Sequence, residues 1–536
     1  MQRREFMKIA GLTVASQAIP QVQGEEKVEK PNLIFIIADQ RQYGLSKATG
    51  YPLDTSPTLD RLQGRGIAFQ NNYCTEPVCA PSRVSMLTGR WPVATHVHTN
   101  FEAQHAYFSQ DLYQVAKSRG YRTGLCGKNH TYLKPADVDV WREFSHEGGY
   151  IAPDAPPAVQ EYDNWLKSLH FDAAEEPNPF PLTAQIPYRI VSEAMKFIDN
   201  SGDQPFLLQV SFPESHGPER VPAPYWNMFP PEAVPARCEG PEALKNMRPR
   251  TNSEYRLQQD DFPDSENHWR RYVSNYLGAL RMIDDQIGRL NDHLEKRNLA
   301  SKTLVVFTAD HGDNLMNYGL GRKGTGLHEA LTHTPQIWWG YGIRPSKNSE
   351  QVFTSMADLM PTMCEAMGAG IPHGVQGRSL WPLLQGQDFP HEEFRSMYSS
   401  AELGGLCNDD ADNIPTSFSH DPRRAGSWDE QNKATQSGYQ KMVRMGDWKL
   451  VYDTMDYGQL YNLRNDPCEL VNLFGQPEHA EMRARLMAEL AMWMIRTQDS
   501  LPTGPQNRKY HTKWPADHNW YAPYHYGGPP PNPYIP

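Results

Sequence analysis

The chain has 536 residues, enough for one large α/β domain with a smaller companion, or for about two to four ordinary domains. Its 39% hydrophobic and 11% aromatic content suits a globular enzyme, and its net charge of −11 argues against general nucleic-acid binding. An anionic substrate would have to be drawn in by a local cluster of cations, because the field of the whole molecule repels it.

Gln2-Arg3-Arg4-Glu5-Phe6-Met7-Lys8 has the twin-arginine form of an export signal, and the apolar stretch over 9–18 ends on the small-residue site Ser16-Gln17-Ala18. The stretch is too short to span a bilayer, and no other window approaches transmembrane length. Residues 1–24 are therefore assigned to a signal peptide and short linker, with twin-arginine export to the periplasm or beyond.

The run 32–38 (NLIFIIA) is apolar, rich in β-branched residues and bounded by Pro31 and Asp39, which predicts a strand buried on both faces of a mostly parallel sheet. It delivers Asp39-Gln40 at its end. Next comes Cys79-Ala80-Pro81-Ser82-Arg83, with Leu87-Thr88-Gly89-Arg90 downstream. Glu76-Pro77 and Pro81-Ser82 are turn chemistry, and Val84, Met86 and Leu87 predict a short helix that ends at Gly89. Cys79 thus stands where backbone N–H groups and the helix dipole favour an anion, and Arg83 lies one turn on. On this ground a reactive or anion-adjacent thiol and a structural thiol in a turn both stand.

A helix is predicted over 110–118, then a strand over 122–126 that runs into Gly127-Lys128-Asn129-His130. A strand over 206–212 leads to Ser215-His216, and a long amphipathic helix over 269–296 carries Val273, Tyr276, Leu280, Ile283, Ile287, Leu290 and Leu294 on one face. The strand over 303–308 repeats the first pattern and delivers Asp310-His311-Gly312, with Gly321-Arg322-Lys323-Gly324 beyond it. A strand over 334–339 and a helix over 358–367 follow. The Pro- and aromatic-rich stretches 134–187, 213–264 and 404–440 read as long loops that shape a cleft. After about 390 the texture changes to short strands over 442–452 and a final helix over 478–497, and residues 505–536 form an extended Pro- and aromatic-rich tail.

Two buried strands that each end on an acid define the ligand-presenting edge of an open α/β sheet. Their hard oxygen donors suit calcium or magnesium, and the histidine makes manganese possible. The seven cysteines are an odd number with no metal-finger spacing, so no disulfide framework is expected.

The uninterrupted run from Cys79 to Arg90 resembles the signature of the formylglycine-dependent sulfatases, in the alkaline-phosphatase-like superfamily. The resemblance extends over 31–367, and through Gly377-Arg378-Ser379-Leu380 and the 460–467 segment it reaches the C-terminal part. It implies that a separate formylglycine-generating enzyme oxidises Cys79 to an aldehyde, whose hydrate attacks sulfur. It further implies that Asp39, Gln40, Cys79, Asp310 and His311 hold one divalent cation, most simply Ca2+, with Mg2+ or Mn2+ as alternatives. Arg83 would hold the reacting groups in place, Lys128 and Lys323 would bind sulfate, His216 or Lys323 would protonate the departing alcohol, and His130 would take the proton that lets sulfate leave. Many relatives carry aspartate where Gln40 stands, whereas phosphonate monoester hydrolases often carry glutamine.

The implied fold is a mixed, mostly parallel sheet flanked by helices, with a catalytic domain over 25–390 and a smaller α+β subdomain over 391–504. The implied substrate is a sulfated carbohydrate, since Trp141, Tyr150, Trp165, Tyr225 and Trp226 offer faces for sugar rings. His96, His98 and Asn100 are candidates for the first sugar subsite. A choline-sulfate-like small ester and a phosphonate monoester or phosphodiester are the alternatives.

Overall fold

The computed structural model describes residues 30–498 other than 101, 170–173, 248, 325, 345–348, 350, 402–438 and 454–456. The export signal, the C-terminal tail, most of the 404–440 loop and Cys407 lie outside the described residues.

In chain order the strands are β1 (Asn32–Ala38), β2 (Ile67–Phe69), β3 (Asn71–Tyr73), β4 (Arg122–Gly127), β5 (Val140–Ser145), β6 (Gly148–Gly149), β7 (Phe206–Phe212), β8 (Thr303–Ala309), β9 (Gln336–Gly340), β10 (Phe353–Ser355), β11 (Ser396–Ala401), β12 (Gln440–Met445), β13 (Trp448–Asp453) and β14 (Gly458–Asn462). Eight of them form one sheet in the order β2-β9-β8-β1-β7-β4-β5-β6. The five strands from β8 to β5 are parallel; β9 and β6 run against them, and β2, antiparallel to β9, runs with them at the edge.

Every residue of β1, β7 and β8 is buried, as a run without polar alternation requires when both faces are covered. Leu33, Phe35 and Ile37 point into a core shared with Met86, Leu87 and the helix Leu359–Ala366. Ile34, Ile36 and Ala38 point the other way, onto Ile190, Phe197, Ile283, Ile287, Leu290 and Leu294. The period of two in a strand therefore splits one apolar run between two cores. The helix Ser265–Lys296 buries all seven residues of its expected apolar face.

The stretch 134–187 departs from its loop reading. It holds β5 and β6, which extend the sheet, and the helix Pro157–Leu166, while 186–199 forms the helix Ile186–Asp199. Pro157 and Pro187 stand in the first turns of these helices, where a missing N–H costs nothing, so prolines that read as loop chemistry are starts. A further helix, Pro249–Asp261, lies inside the 213–264 stretch.

The C-terminal subdomain is the antiparallel sheet β11-β12-β13-β14 with the helix Ala480–Thr497. It docks by buried polar contacts as well as apolar ones. Arg444 Nε donates to Tyr73 Oη (2.8 Å), and Lys449 bridges Glu329 (3.1 Å) and Glu469 (2.7 Å). Among the described residues no helix is long and apolar enough to cross a membrane.

The cysteines correct one expectation. Cys238 and Cys468 form a disulfide that joins the 213–264 insertion to the C-terminal subdomain across 230 residues. No local spacing announces a pair that only tertiary docking brings together. Cys74, Cys79, Cys126 and Cys364 are buried free thiols.

Candidate active site at the carboxyl ends of the central strands

The ends of β1, β8, β7 and β4 converge on the helix Cys79–Thr88, which is buried along its whole length. Cys79 is its first residue and Gly89 ends it in the left-handed conformation (φ 64°), which glycine adopts at little cost. Ser82 Oγ donates to Asp310 O (2.6 Å), which ties the first turn to the end of β8. Asn100 Oδ1 accepts from Ala80 N (3.0 Å), filling one of the donors that a helix start leaves open.

On one side of Cys79 lie acids. Its Sγ is 3.1 Å from His311 Nε2 and 3.8 Å from Asp39 Oδ1, and the donor atoms of Asp39, Cys79, Asp310 and His311 all fall within 4.8 Å of one another. His311 Nδ1 donates to Gly312 O (2.9 Å), which fixes the ring with Nε2 turned to the cluster. Gln40 stands at a left-handed φ of 60°, a strained backbone for a side chain of this kind, and its Oε1 is buried without a hydrogen-bond partner among the described residues. An orphaned carbonyl oxygen, two carboxylates and an oriented imidazole fit a hard divalent cation.

Arg83 locks the acids together. Its Nε donates to Asp310 Oδ2 (2.7 Å), its Nη2 to Asp39 Oδ2 (3.2 Å), and its Nη1 to Ser211 Oγ (2.8 Å) and Lys128 O (3.2 Å). Burial pushes the Asp39 carboxyl up, yet Lys128 and Arg83 beside it hold it well below the usual carboxylate range. Burial also works against a charged His311, but Asp310 and the Cys79 thiol hold its imidazole up at about 9. The cluster draws positive charge to itself.

Cations line the other side. Lys128 Nζ bonds Asp39 Oδ2 and donates to His146 Nε2 (2.9 Å), and the His146 and His216 rings lie 4.2 Å apart. His216 Nδ1 meets Gly217 O (2.9 Å), leaving Nε2 to accept from Arg322 Nη2 (3.1 Å) and Lys323 Nζ (3.4 Å). Burial and the neighbouring His146, Arg322 and Lys323 push His216 far below its ordinary value, and burial with Lys128 does the same to His146. Both rings are therefore neutral acceptors near pH 7. His130 follows β4 with a left-handed φ of 48°, near enough to His146 to act on it electrostatically.

Contacts thus link Asp39, Gln40, Cys79, Arg83, Lys128, His216, Asp310, His311 and Lys323 in one cluster, and His130 lies within electrostatic reach of it through His146. Sequence reasoning missed two members. Arg322 was passed over for its neighbour Lys323, and His146 sits in the β5–β6 turn of a stretch read as loop. Its signal is the Ser145-His146-Glu147-Gly148-Gly149 turn behind the mixed stretch Val140-Trp141-Arg142-Glu143-Phe144.

The three candidates for sugar contact lie on the segment after the helix, and Asn100 bonds the residue next to Cys79. His96 is exposed and stacks on Tyr107 at 5.7 Å; His98 is half-buried, with its backbone N donating to Glu102 Oε2 (3.1 Å) and burial pushing its imidazole down to about 4; Asn100 holds the helix start. The aromatic residues proposed for sugar rings pack within the insertions instead. Trp165 lies on Tyr162 and Phe180, Arg142 covers Tyr150, Arg271 covers Trp226, and Tyr225 is buried.

A mostly parallel sheet that sets acids on one side of a buried residue 79 and cations on the other suits the hydrolysis of an anionic ester. The Sulfatase family model matches residues 31–369, so the chain belongs to the sulfatase family and is a sulfuric ester hydrolase. It is 25% identical over 508 residues to the choline-sulfatase of Rhizobium meliloti (strain 1021), with 90% of each chain covered. It is 24% identical over 569 residues to the N-acetylglucosamine-6-O-sulfatase of Bacteroides thetaiotaomicron, covering 93% of this chain and 91% of that one. The solved phosphonate monoester hydrolase from Silicibacter pomeroyi shares the fold, with a TM-score of 0.71 at 22% identity over 88% of this chain and 96% of that one.

Proposed function

We propose that the protein is an exported sulfatase that hydrolyses sulfate monoesters on a sulfated carbohydrate. The observation that carries the reaction is the division of the site: buried acids on one side of residue 79, and Lys128, Arg322 and Lys323 on the other, ordered by two neutral histidines. The relative that acts on N-acetylglucosamine 6-O-sulfate, alike over nearly the whole chain, supports a carbohydrate substrate. The twin-arginine segment supports export, as does the Cys238–Cys468 disulfide, since such bonds persist in oxidising compartments.

A divalent cation, Ca2+ in this reading with Mg2+ or Mn2+ as alternatives, would be held by Asp39, Gln40, residue 79, Asp310 and His311, and it supplies Lewis-acid withdrawal of charge from the ester. Cys79, oxidised to formylglycine by a maturation enzyme, supplies the nucleophilic hydroxyl of an aldehyde hydrate. Arg83 fixes both carboxylates so that neither swings into the nucleophile. Lys128, Arg322 and Lys323 neutralise the three sulfuryl oxygens, whose charge the net-negative surface would otherwise repel. His216, neutral at Nε2, aims the Lys323 ammonium and leaves Lys323 as the proton donor to the departing oxygen. His130 takes the proton at residue 79 when sulfate is released.

Two results are expected from this assignment. Lys323→Ala lowers kcat on an alkyl or sugar sulfate by about 10²-fold, the scale of general acid catalysis, and much less on 4-nitrophenyl sulfate, whose leaving group needs no proton. Equal losses on both would remove Lys323 from that role. Chelation abolishes turnover, which returns on adding Ca2+, Mg2+ or Mn2+, with bound metal counted by elemental analysis; full activity in metal-free protein would contradict it.

Hydrolysis of phosphonate monoesters or phosphodiesters is the second reading. It is favoured by Gln40, which removes one negative charge from the acid cluster. A panel of sulfated oligosaccharides, choline sulfate and aryl phosphonates separates the readings. Faster turnover of the phosphonates, or of choline sulfate, would overturn the carbohydrate assignment.

A further inference from the structure

Arg322 and Lys323 reach the site on a segment of strained backbone. Leu315, Met316, Tyr318 and Arg322 all adopt left-handed φ values, of 47°, 62°, 59° and 53°, which side chains with a Cβ adopt only when their surroundings enforce it. The loop closes where Asn314 N donates to Arg322 O (2.7 Å), directly beside the two cations.

The loop is held from outside by the disulfide and its flanks, and by Gln258, whose Nε2 donates to Gly319 O (2.8 Å) and whose Oε1 accepts from Gly321 N (2.8 Å). From the insertion side, Cys238 N donates to Asn317 Oδ1 (2.8 Å), Arg237 Nη1 to Met316 O (3.2 Å), and Glu239 O accepts from Tyr318 N (2.8 Å). From the C-terminal side, Cys468 O accepts from Tyr318 Oη (2.5 Å), and the neighbouring Glu469 is fixed by Lys449 (2.7 Å) and by Glu329 N (2.7 Å). Tyr318 and Leu320 pack between Leu244 of the insertion and Leu470 of the subdomain. The S–S bond therefore closes a ring of contacts around Met316–Tyr318, with one jaw anchored in a rigid sheet subdomain. The other jaw, where Cys238 is exposed, is tied to the helix Ser265–Lys296 through Arg237, whose Nη2 pairs with Glu266 Oε2 (2.6 Å), so the S–S bond joins two anchored sides across the loop.

We propose that the Cys238–Cys468 disulfide is a positioning clamp for Arg322 and Lys323, so that the grip of the site on a sulfate group depends on the oxidation state of this pair. The proposal rests on the reading that both cations face the substrate anion. Opening the clamp needs a dithiol: the S–S bond breaks, two electrons and two protons pass to the cysteines as two thiols, and the dithiol closes to its cyclic disulfide. An oxidising compartment keeps the clamp shut. The enzyme then binds its anion fully only after leaving a reducing one.

Inorganic sulfate is the probe, measured by calorimetry and as a competitive inhibitor. The samples are the oxidised protein, the same protein after dithiothreitol, Cys238→Ser/Cys468→Ser, and Arg322→Ala. We expect the sulfate dissociation constant to rise about tenfold in the reduced and serine forms, within the range of site-to-site coupling. The kcat/KM should fall in step. Reoxidation should restore the reduced wild type and leave the serine form unchanged. If reduction lowers only the melting temperature and sulfate affinity of the still-folded protein at 25 °C stays within twofold, the clamp is refuted while the cation assignment stands. Parent-like sulfate binding by Arg322→Ala would overturn that assignment, and the clamp with it. Should the serine variant fail to fold, the dithiothreitol titration of the folded wild type decides alone.

Discussion

Cys79→Ala is expected to lower kcat/KM on any sulfate ester by about 10⁴-fold or more, the scale on which removal of a nucleophile is felt when the remaining groups can only bind. The fold should survive, because the change deletes one sulfur atom beside His311 and Asp39 and leaves the helix Cys79–Thr88, its Ser82 tie to Asp310 and its Asn100 support untouched. Cys79→Ser should be as inactive as alanine, since a serine carries one hydroxyl where an aldehyde hydrate carries two. The other buried thiols provide the control. Burial raises the Cys74, Cys126 and Cys364 thiols well above the ordinary range, so each behaves as a small apolar side chain, and conservative replacement there should change activity less than twofold. Sulfate release in a single turnover, together with the mass of the peptide bearing residue 79, checks both statements. Parent-like release by Cys79→Ala would end the formylglycine reading.

The contrast between these thiols shows how much the sequence could reveal. Continuous apolar runs are local signals, and β1, β7 and β8 form where those runs stand because no other arrangement buries both faces. The acids that follow β1 and β8 were legible for the same reason: a buried parallel strand has one end from which a charge can emerge. Lys128 and His216 were readable as residues just past strands. The division of labour between them was not, since it depends on ring contacts. That His216 is a neutral acceptor follows from Gly217 O, Arg322 and Lys323 converging on one imidazole, and no spacing encodes that convergence. His146 was hidden because β5 and β6 are short edge strands, whose pairing is decided by β4 beside them. The aromatic loops misled in the opposite direction. Their rings are read as sugar platforms, yet Arg142 lies over Tyr150 and Arg271 over Trp226, so those two half-buried rings each have one face taken by the protein.

Arg83 makes the second large prediction. Its guanidinium spans Asp310, Asp39, Ser211 and the Lys128 carbonyl with four hydrogen bonds from a plane that is 1% exposed. A lysine at 83 keeps the charge but brings one compact ammonium with three donors, which cannot meet two carboxylates and a hydroxyl at once. Arg83→Lys should therefore lower kcat/KM by about 10²–10³-fold, the scale of losing a preorganised donor, with bound metal reduced and the fold retained. Arg83→Ala goes further. It leaves two buried carboxylates short of a counter-charge, which costs about 3–5 kcal/mol of stability by analogy with broken buried pairs, and activity should fall about 10³-fold or more. Saturating divalent cation separates the two effects, because a cation in the acid cluster replaces the missing charge but not the missing geometry. We expect added Ca2+ to restore most of the melting temperature of Arg83→Ala and little of its turnover. If Ca2+ restored both together, Arg83 would be only a counter-ion to the cluster, and the lock on Asp39 and Asp310 would not be part of catalysis.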